Sequence, residues 1–245
     1  MSFLTIPTRK LSNGVCMPGV GLGCWAGPTE EQQSNSWKWF LTGIQAGYRH
    51  LDTAAQYKTE ASVGKAIRES GIPRKEFFVT TKIFMAQDEN GEDIHDAEGH
   101  PTPVESPSFN DVWAGFEKIY ASGRAKAIGV SNFSIKTLNQ LLTTAKIIPH
   151  VNQVESHPYL AQPELKAYCE EKGIQLCAYT PTGYAVVRSD ATIIELAKKY
   201  NVSPAQVILS WQVMRGVVPT PQSANVQRQK DNITLPSLSD EDFNI

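Results

Sequence analysis

Long hydrophobic runs are absent from this sequence of 245 residues. No stretch approaches the ~20 apolar residues that a membrane-spanning helix needs, and the first ten residues lack the apolar core of about 7–15 residues found in secretory signals. The 23 Lys and Arg residues are balanced by 25 Asp and Glu residues, and the basic ones form no cluster that would bind nucleic acid or a membrane surface. We therefore expect a cytoplasmic protein without polyanionic partners.

Cysteine is also scarce, and its spacing argues against metal and disulfide frameworks. The four cysteines, at positions 16, 24, 169 and 177, include no Cys-x-x-Cys pair and have no matching set of histidines. We expect no metal site, and we expect reduced, buried thiols. With 41% apolar residues and no linker or low-complexity stretch, residues 1–245 are predicted to form a single domain.

Short β-like runs alternate with longer helical runs, which predicts a parallel α/β fold. The predicted strands cover residues 19–25, 48–52, 77–82, 127–130, 150–154, 174–179 and 216–220. The predicted helices cover residues 33–46, 61–70, 109–122, 135–144, 163–172, 190–200 and 204–214. Near the start, Asn13-Gly14 lies between apolar residues and predicts a hairpin with a two-residue turn.

A polar stretch at 88–108 interrupts this alternation. It contains no aromatic and almost no aliphatic residue, so it cannot contribute to a core. Ordered domains seldom carry so long a connection without helix or strand. Either this stretch is a functional loop, or a helix and a strand expected at this point of the chain are missing.

Three polar residues follow or end predicted strands, where the functional residues of parallel barrels lie. Asp52 ends the second strand, Tyr57 lies five residues later, and Lys82 ends the third. An ammonium lowers the pKa of a nearby phenol, so we expect Lys82, held by Asp52, to make Tyr57 a proton donor to a substrate carbonyl. Alternatively, Asp52 caps a helix, Tyr57 packs under a loop and Lys82 is solvated.

Seven sequence segments, in order, resemble the aldo-keto reductase family, of the fungal, yeast-like aldehyde reductase type. These segments are residues 21–25, 47–57, 81–82, 127–133, 152–159, 178–181 and 203–207. The resemblance implies a (β/α)₈ barrel of the TIM type whose bottom is closed by an N-terminal hairpin. It also implies reduction of an aldehyde or ketone with NADPH, with Tyr57, Asp52 and Lys82 as catalytic residues.

The resemblance also implies where the nicotinamide end of the cofactor binds. Ser131, Asn132 and Gln153 would hydrogen-bond its carboxamide, and Tyr179, followed by Thr180, would stack on the ring. Amides and hydroxyls satisfy an amide, and an aromatic face suits a flat ring. Alternatively, Asn132 and Gln153 only cap a helix or satisfy loop backbone.

Residues 221–232 resemble the family's segment that binds the adenosine 2′-phosphate. Ser223, Arg228 and backbone N–H groups at a helix start would bind the phosphate, and Asp231 and Asn232 would contact the adenine. Gln222 stands where the family usually has lysine. Loss of one charge-assisted hydrogen bond, worth about 1.5–3 kcal/mol, weakens the preference for NADP(H) about ten- to a hundredfold. We expect NADPH, with NADH as the alternative.

The sequence departs from the family pattern in three places. The histidine motif that ends the fourth strand is missing, and with it the third helix and fourth strand, so the barrel is expected to be one βα unit short. His95 and His100 lie in the polar stretch with no strand to position them. The C-terminal tail that usually lines the substrate pocket in the family is also expected to be lacking.

These departures lead us to expect impaired catalysis. We also expect a monomer. Loss of one positioned acid costs about 10²–10⁴ in rate, and a non-catalytic NADP(H)-binding protein or an inactive variant is the alternative. Trp25, Phe84 and Tyr184 are expected to line an apolar pocket for a small aldehyde or ketone. Alternatively, these three rings belong to the core.

Overall fold

The computed structural model describes residues 2–83 and 106–244, over which strands and helices alternate as predicted. The strands are β1 (Thr8–Lys10), β2 (Cys16–Pro18), β3 (Leu22–Gly23), β4 (His50–Asp52), β5 (Phe78–Thr80), β6 (Gly129–Ser131), β7 (Val151–Glu155), β8 (Gln175–Tyr179) and β9 (Val218–Pro219). The helices are α1 (Glu30–Asn35), α2 (Trp37–Ala46), α3 (Glu60–Glu69), α4 (Phe109–Ala121), α5 (Ile135–Leu142), α6 (Pro163–Glu171), α7 (Ala185–Arg188), α8 (Ala191–Lys199), α9 (Pro204–Met214), α10 (Val226–Asp231) and α11 (Asp240–Phe243).

The predicted N-terminal hairpin is present, but its turn is longer than predicted. Strands β1 and β2 pair antiparallel, and Leu11 N–H donates to the carbonyl of Val15 across three intervening residues. Gly14 has a positive φ of 86°, as in three-residue hairpin loops. Leu11 and Met17 pack against Cys177 and Val218 of the barrel strands, so the hairpin covers the amino-terminal ends of those strands.

The remaining strands are parallel and form two groups, β3-β4-β5 and β6-β7-β8-β9. Backbone hydrogen bonds connect the groups, because Gly21 N–H donates to Pro219 O at 2.9 Å and Gly23 N–H donates to Pro221 O at 3.0 Å. The strands therefore follow the order β5-β4-β3-β9-β8-β7-β6. Within residues 2–83 and 106–244, no backbone hydrogen bond joins β5 to β6.

Most helix predictions are confirmed to within two residues at each end. Helix α9 begins as predicted, with Pro204 in its first turn and Ser203 as N-cap in a reciprocal capping box with Gln206. The single helix predicted over 33–46 was wrong, because the chain divides it into α1 and α2 at Ser36. The Ser36 hydroxyl donates to Gln33 O at 2.6 Å. This local bond competes with the regular backbone hydrogen bonds of a helix.

Side chains alternate between the two faces of the strands and so separate core from site. On β4, Leu51 packs outward with Leu22, Phe40 and Ile44, while the polar His50 and Asp52 face the other side. Strand β7 follows the same rule: Val154 packs with Leu138 and Leu176 of a second cluster, and Gln153 faces away from it. None of the helices in the described ranges is long and apolar enough to cross a bilayer.

Candidate active site

The carboxyl ends of the parallel strands gather most of the predicted site residues. Asp52 ends β4, Ser131 ends β6, Tyr179 ends β8, Gln153 lies in β7, and Lys82 follows β5 by two residues. Because parallel strands end on one side of a barrel, these side chains share its mouth.

Asp52 and Lys82 form an ion pair in that mouth. Lys82 Nζ donates to Asp52 Oδ1 at 2.5 Å and to the carbonyl of Thr53 at 2.9 Å. The Asp52 side chain is 4% exposed and that of Lys82 is 20% exposed. The Lys82 carbonyl in turn accepts from Ala55 N–H at 2.9 Å. Lys82 is thus fixed at its backbone and at its ammonium, as the predicted pairing with Asp52 requires.

Gln153 contacts the same carboxylate from the opposite side of the barrel. Its Nε2 donates to Asp52 Oδ2 at 2.7 Å, so both Asp52 oxygens accept a hydrogen bond. Ser131 Oγ and Asn132 N–H both donate to the Gln153 carbonyl, at 3.0 and 2.9 Å. Sequence reasoning missed this link between Asp52 and Gln153. The one sign of this hydrogen bond in the sequence is that each of the two strands has a polar residue on its inward face.

Tyr57 lies in a short 3₁₀-helix (Ala55–Tyr57) directly after β4. The Thr53 and Thr59 hydroxyls, 2.9 Å apart, close the loop around it, and Thr59 Oγ1 donates to Cys24 O at 2.9 Å. Lys82 Nζ lies 5.1 Å from the centroid of the Tyr57 ring. The structure therefore brings Asp52, Tyr57 and Lys82 together.

The expectation that Lys82 lowers the pKa of Tyr57 was wrong. Burial, followed by the negative charge of Asp52 and the neighbouring Cys24 thiol, raises the pKa of Tyr57 to about 12. Burial disfavours a phenolate, and the Lys82 ammonium is already paired with Asp52. Tyr57 therefore holds its proton at neutral pH.

Tyr179 and Asn132 meet across the end of β7. Tyr179 Oη donates to Asn132 Oδ1 at 3.0 Å. Asn132 and Thr180 adopt positive φ values of 61° and 47°. Asparagine tolerates this region, whereas the β-branched Thr180 is an outlier there. Such strain directly after two strand ends is typical of functional sites.

A second polar pair, Glu155 and His157, lies at this edge and was not assigned a role from the sequence. His157 Nε2 is 3.2 Å from Glu155 Oε1, and its ring meets that of Tyr184 edge-on at 6.5 Å. Burial, together with the Glu155 charge, raises the pKa of Tyr179. The only signal in the sequence was the spacing of two residues at the end of a predicted strand.

Residues 221–232 lie beside β3, with their predicted contact residues differently exposed. Ser223 and Asn232 are buried, Asp231 is half-buried, and Gln222 and Arg228 are exposed. The following helix, α10, has only six residues. Its Arg228 N–H already donates to the Asn225 side chain at 3.0 Å. The helix start therefore offers fewer unsatisfied N–H groups than expected.

Two of the three predicted pocket aromatics lie on the surface. Trp25 is 53% exposed and Tyr184 is 61% exposed, so these two rings do not belong to the core. Phe84, His95 and His100 lie outside the described residues. Over the part of the chain that the structure describes, no group of three or more His, Cys, Asp or Glu side chains could hold a metal ion.

Comparison with known proteins shows which family the chain belongs to. The model of the "Aldo/keto reductase family" matches residues 19–102 and 94–245. The chain is 37% identical to "Glycerol 2-dehydrogenase (NADP(+))" of Saccharomyces cerevisiae, covering 96% of this chain and 88% of that protein. The chain belongs to the aldo-keto reductase family. It is also 34% identical to "Aldehyde reductase YPR1" of the same yeast, with the same coverage, which confirms the predicted yeast-like type.

The three-dimensional fold of this aldo-keto reductase agrees with the assignment. The crystal structure of a Bombyx mori aldo-keto reductase in complex with NADP matches it with a TM-score of 0.84 and 30% identity. The match covers 98% of this chain and 92% of that chain. The fold is therefore the (β/α)₈ barrel of the TIM type, as the sequence resemblance implied.

Proposed function

We propose that this aldo-keto reductase reduces a small aldehyde or ketone to an alcohol with NADPH, and that Tyr57 is the proton donor. The observation that carries the proposal is the meeting of Asp52, Tyr57, Lys82 and Gln153 at one barrel mouth. An isolated ion pair is common in proteins. A buried ion pair beside a proton-bearing phenol, in a family of carbonyl reductases, suits acid catalysis.

The amide side chains at the mouth fit a nicotinamide carboxamide. The NH₂ group of Gln153 is directed at Asp52, so its Oε1 is the atom that Gln153 has to offer as an acceptor. The Oδ1 of Asn132 accepts from Tyr179, so its Nδ2 is the donor. One acceptor and one donor are the complement of a carboxamide. Ser131 would add a hydroxyl, and Tyr179 with Thr180 would hold the ring face.

NADPH bound by these residues would supply the hydride that the carbonyl carbon accepts. Tyr57, whose pKa is about 12, is protonated before the reaction and donates its proton to the carbonyl oxygen. Lys82 Nζ, 5.1 Å from the centroid of the Tyr57 ring, places a positive charge beside the phenolate that remains. Asp52 holds the ammonium in place, and Gln153 holds Asp52 from the other side.

The adenosine end of the cofactor would lie along residues 221–232. Ser223 and Arg228 would bind the 2′-phosphate, and Asp231 and Asn232 would contact the adenine. The Bombyx mori relative was crystallised with NADP, which supports NADPH as the cofactor. Gln222 adds no charge to this site, so we propose a weaker preference over NADH than a lysine would give.

We also propose that the barrel lacks one βα unit between β5 and β6, and that catalysis is impaired as a result. The alignment with the yeast glycerol dehydrogenase runs over 277 positions but includes only 96% of the 245 residues of this chain, about 235, so about 42 of its positions have no residue from this chain. Within the described residues, β5 and β6 are not paired.

None of the three histidines in the described residues is proposed to replace the family's catalytic histidine, because each is bonded within the fold. His50 bonds Thr80, His150 bonds Ile128, and His157 bonds Glu155. The exposed rings of Trp25 and Tyr184 would line the pocket for this small substrate. A single domain over residues 1–245, a monomer and a cytoplasmic location stay predictions.

The variant Tyr57→Phe tests the proposed function. We expect turnover of a small aldehyde with NADPH to fall about 10²–10⁴-fold, while NADPH binding, followed by quenching of tryptophan fluorescence, stays nearly unchanged. Tyr168→Phe, a phenol on α6 that bonds Asn139, is the control and should keep wild-type turnover. Equal turnover in wild type and Tyr57→Phe would exclude Tyr57 as the donor. NADPH binding without turnover in the wild type would instead identify a non-catalytic binding protein.

A further inference from the structure

The side chain of Gln229 is an entirely buried amide behind residues 221–228. Its Nε2 donates to two backbone carbonyls, Ser223 O and Trp39 O, each at 2.8 Å. Its Oε1 accepts from the hydroxyl of Thr42 on α2, also at 2.8 Å. Both N–H bonds and the oxygen of this amide are therefore satisfied.

These contacts allow only one orientation of the amide. Reversing it would place the Gln229 oxygen against the two carbonyl oxygens of Ser223 and Trp39, which have no hydrogen to donate. The hydroxyl of Thr42 can donate or accept, so the two carbonyl oxygens decide the orientation. The amide is therefore fixed by three partners from two separate parts of the chain. Buried networks that are fully satisfied in this way specify one geometry.

The residues that Gln229 connects are those that would bind the phosphate. Gln229 directly follows Arg228 in α10, and its side chain bonds Ser223, six residues earlier. On its other side this segment is held by Gly23 N–H, which donates to Pro221 O at 3.0 Å. A side chain on Gly23 would lie 2.9 Å from the carbonyl of Thr220, so β3 and the segment are in close contact.

We infer that Gln229 is a positioning residue for the 2′-phosphate of NADPH. It acts by fixing the distance between Ser223 and Arg228 and by tying both to α2. This inference rests on the proposed function. Arg228 itself is exposed, so its backbone needs an anchor if its side chain is to meet a phosphate held by Ser223. The buried side chain of the next residue provides that anchor.

The test measures binding of adenosine 2′,5′-bisphosphate, which carries the 2′-phosphate but no nicotinamide, to the full chain by calorimetry. We expect Gln229→Met to weaken this binding about tenfold or more. Nicotinamide mononucleotide, which lacks the adenosine half, should bind as it does to the wild type. Thr42→Val removes only the partner of Gln229 Oε1 and should weaken binding of the bisphosphate less. This variant replaces Gln229→Met in the test if Gln229→Met does not fold.

The matched control is Gln212→Met. Gln212 is also fully buried, and its Nε2 donates to a backbone carbonyl, Ser156 O, at 2.7 Å. Its variant should lower the melting temperature without changing affinity for the bisphosphate.

Equal affinity in wild type, Gln229→Met and Thr42→Val would overturn the inference and leave the proposed function intact. An equal loss in Gln212→Met and Gln229→Met would also overturn it, since the effect would then be general destabilisation. No binding of the bisphosphate by the wild type would overturn both the inference and the proposed cofactor.

Discussion

The two ends of the proposed cofactor site are held together by different forces. At the barrel mouth, Asp52 and Lys82 form a largely buried ion pair, and Gln153 and Tyr57 lie against it. Along residues 221–232, neutral hydrogen bonds order the backbone, since Gln229 Nε2 donates to Ser223 O and Arg228 N–H donates to Asn225 Oδ1. Removing a buried charge leaves its partner uncompensated, whereas a substitution along residues 221–232 breaks neutral hydrogen bonds that are each worth less. We therefore expect the mouth to tolerate substitution far less than the adenosine end.

The largest effect is expected from Lys82→Met. This change leaves the Asp52 carboxylate, 4% exposed, without its cation, and breaking a buried pair typically costs about 3–5 kcal/mol. Urea unfolding measures the loss. The control is Lys166→Met: Lys166 is equally exposed and bonds Glu170 at 2.6 Å, but Glu170 is 59% exposed. The control should cost at most about 1 kcal/mol. Similar losses of unfolding free energy in Lys82→Met and Lys166→Met would contradict the proposed difference between the buried and the exposed ion pair.

His50, at the start of the strand that Asp52 ends, makes the barrel interior below the mouth sensitive to acid. Its burial lowers its pKa from 6.5 to about 4, so the unfolded chain binds the proton first as the pH falls. Its contribution to stability is complete above about pH 6.5 and is lost progressively towards pH 4, by about 3 kcal/mol. Unfolding free energies of wild type and His50→Asn at pH 7 and pH 4.5 measure this. The wild type should lose more, and parallel pH profiles would argue against it.

At the adenosine end, Gln222→Lys should improve a contact without altering the fold. Gln222 is exposed beside Ser223, and a lysine there adds a charge-assisted bond to a 2′-phosphate. We expect the preference for NADPH over NADH to rise about ten- to a hundredfold, as measured from the two dissociation constants. Gln227→Lys, which adds the same charge on the exposed face of α10, should change the ratio much less. If both variants change it equally, general charge attraction is responsible.

The smallest effect concerns the strained residue after β8. Thr180 has a φ of 47°, and a β-branched side chain is unfavourable there by about 1 kcal/mol or more. Thr180→Asn should therefore raise the free energy of unfolding by about 1 kcal/mol. Thr182→Asn, at a position without a positive φ, should give no gain. A loss of stability in Thr180→Asn would show that the threonine contacts outweigh the strain.

Local signals in the sequence predicted the elements well. Ser203-Pro204 defined the start of α9 because capping and proline geometry act within one turn. The hairpin at Asn13-Gly14 was found, although its turn has three residues. The division of one predicted helix into α1 and α2 at Ser36 was missed. The Ser36 hydroxyl bonds Gln33 O and competes with the backbone hydrogen bonds of the helix, which the periodicity of apolar residues does not reveal.

The sequence by itself determined the family, the order of strands and helices, and the pairing of Asp52 with Lys82, because spacing places residues at strand ends. Only the tertiary structure decided how these groups are surrounded. Gln153 lies 101 positions from Asp52 in the chain, and Gln229 is close to Trp39 only through the packing of α10 on α2. The pKa of Tyr57 depends on burial and on the charge of Asp52. Both are set by which parts of the chain exclude water from one another, and no short segment encodes that.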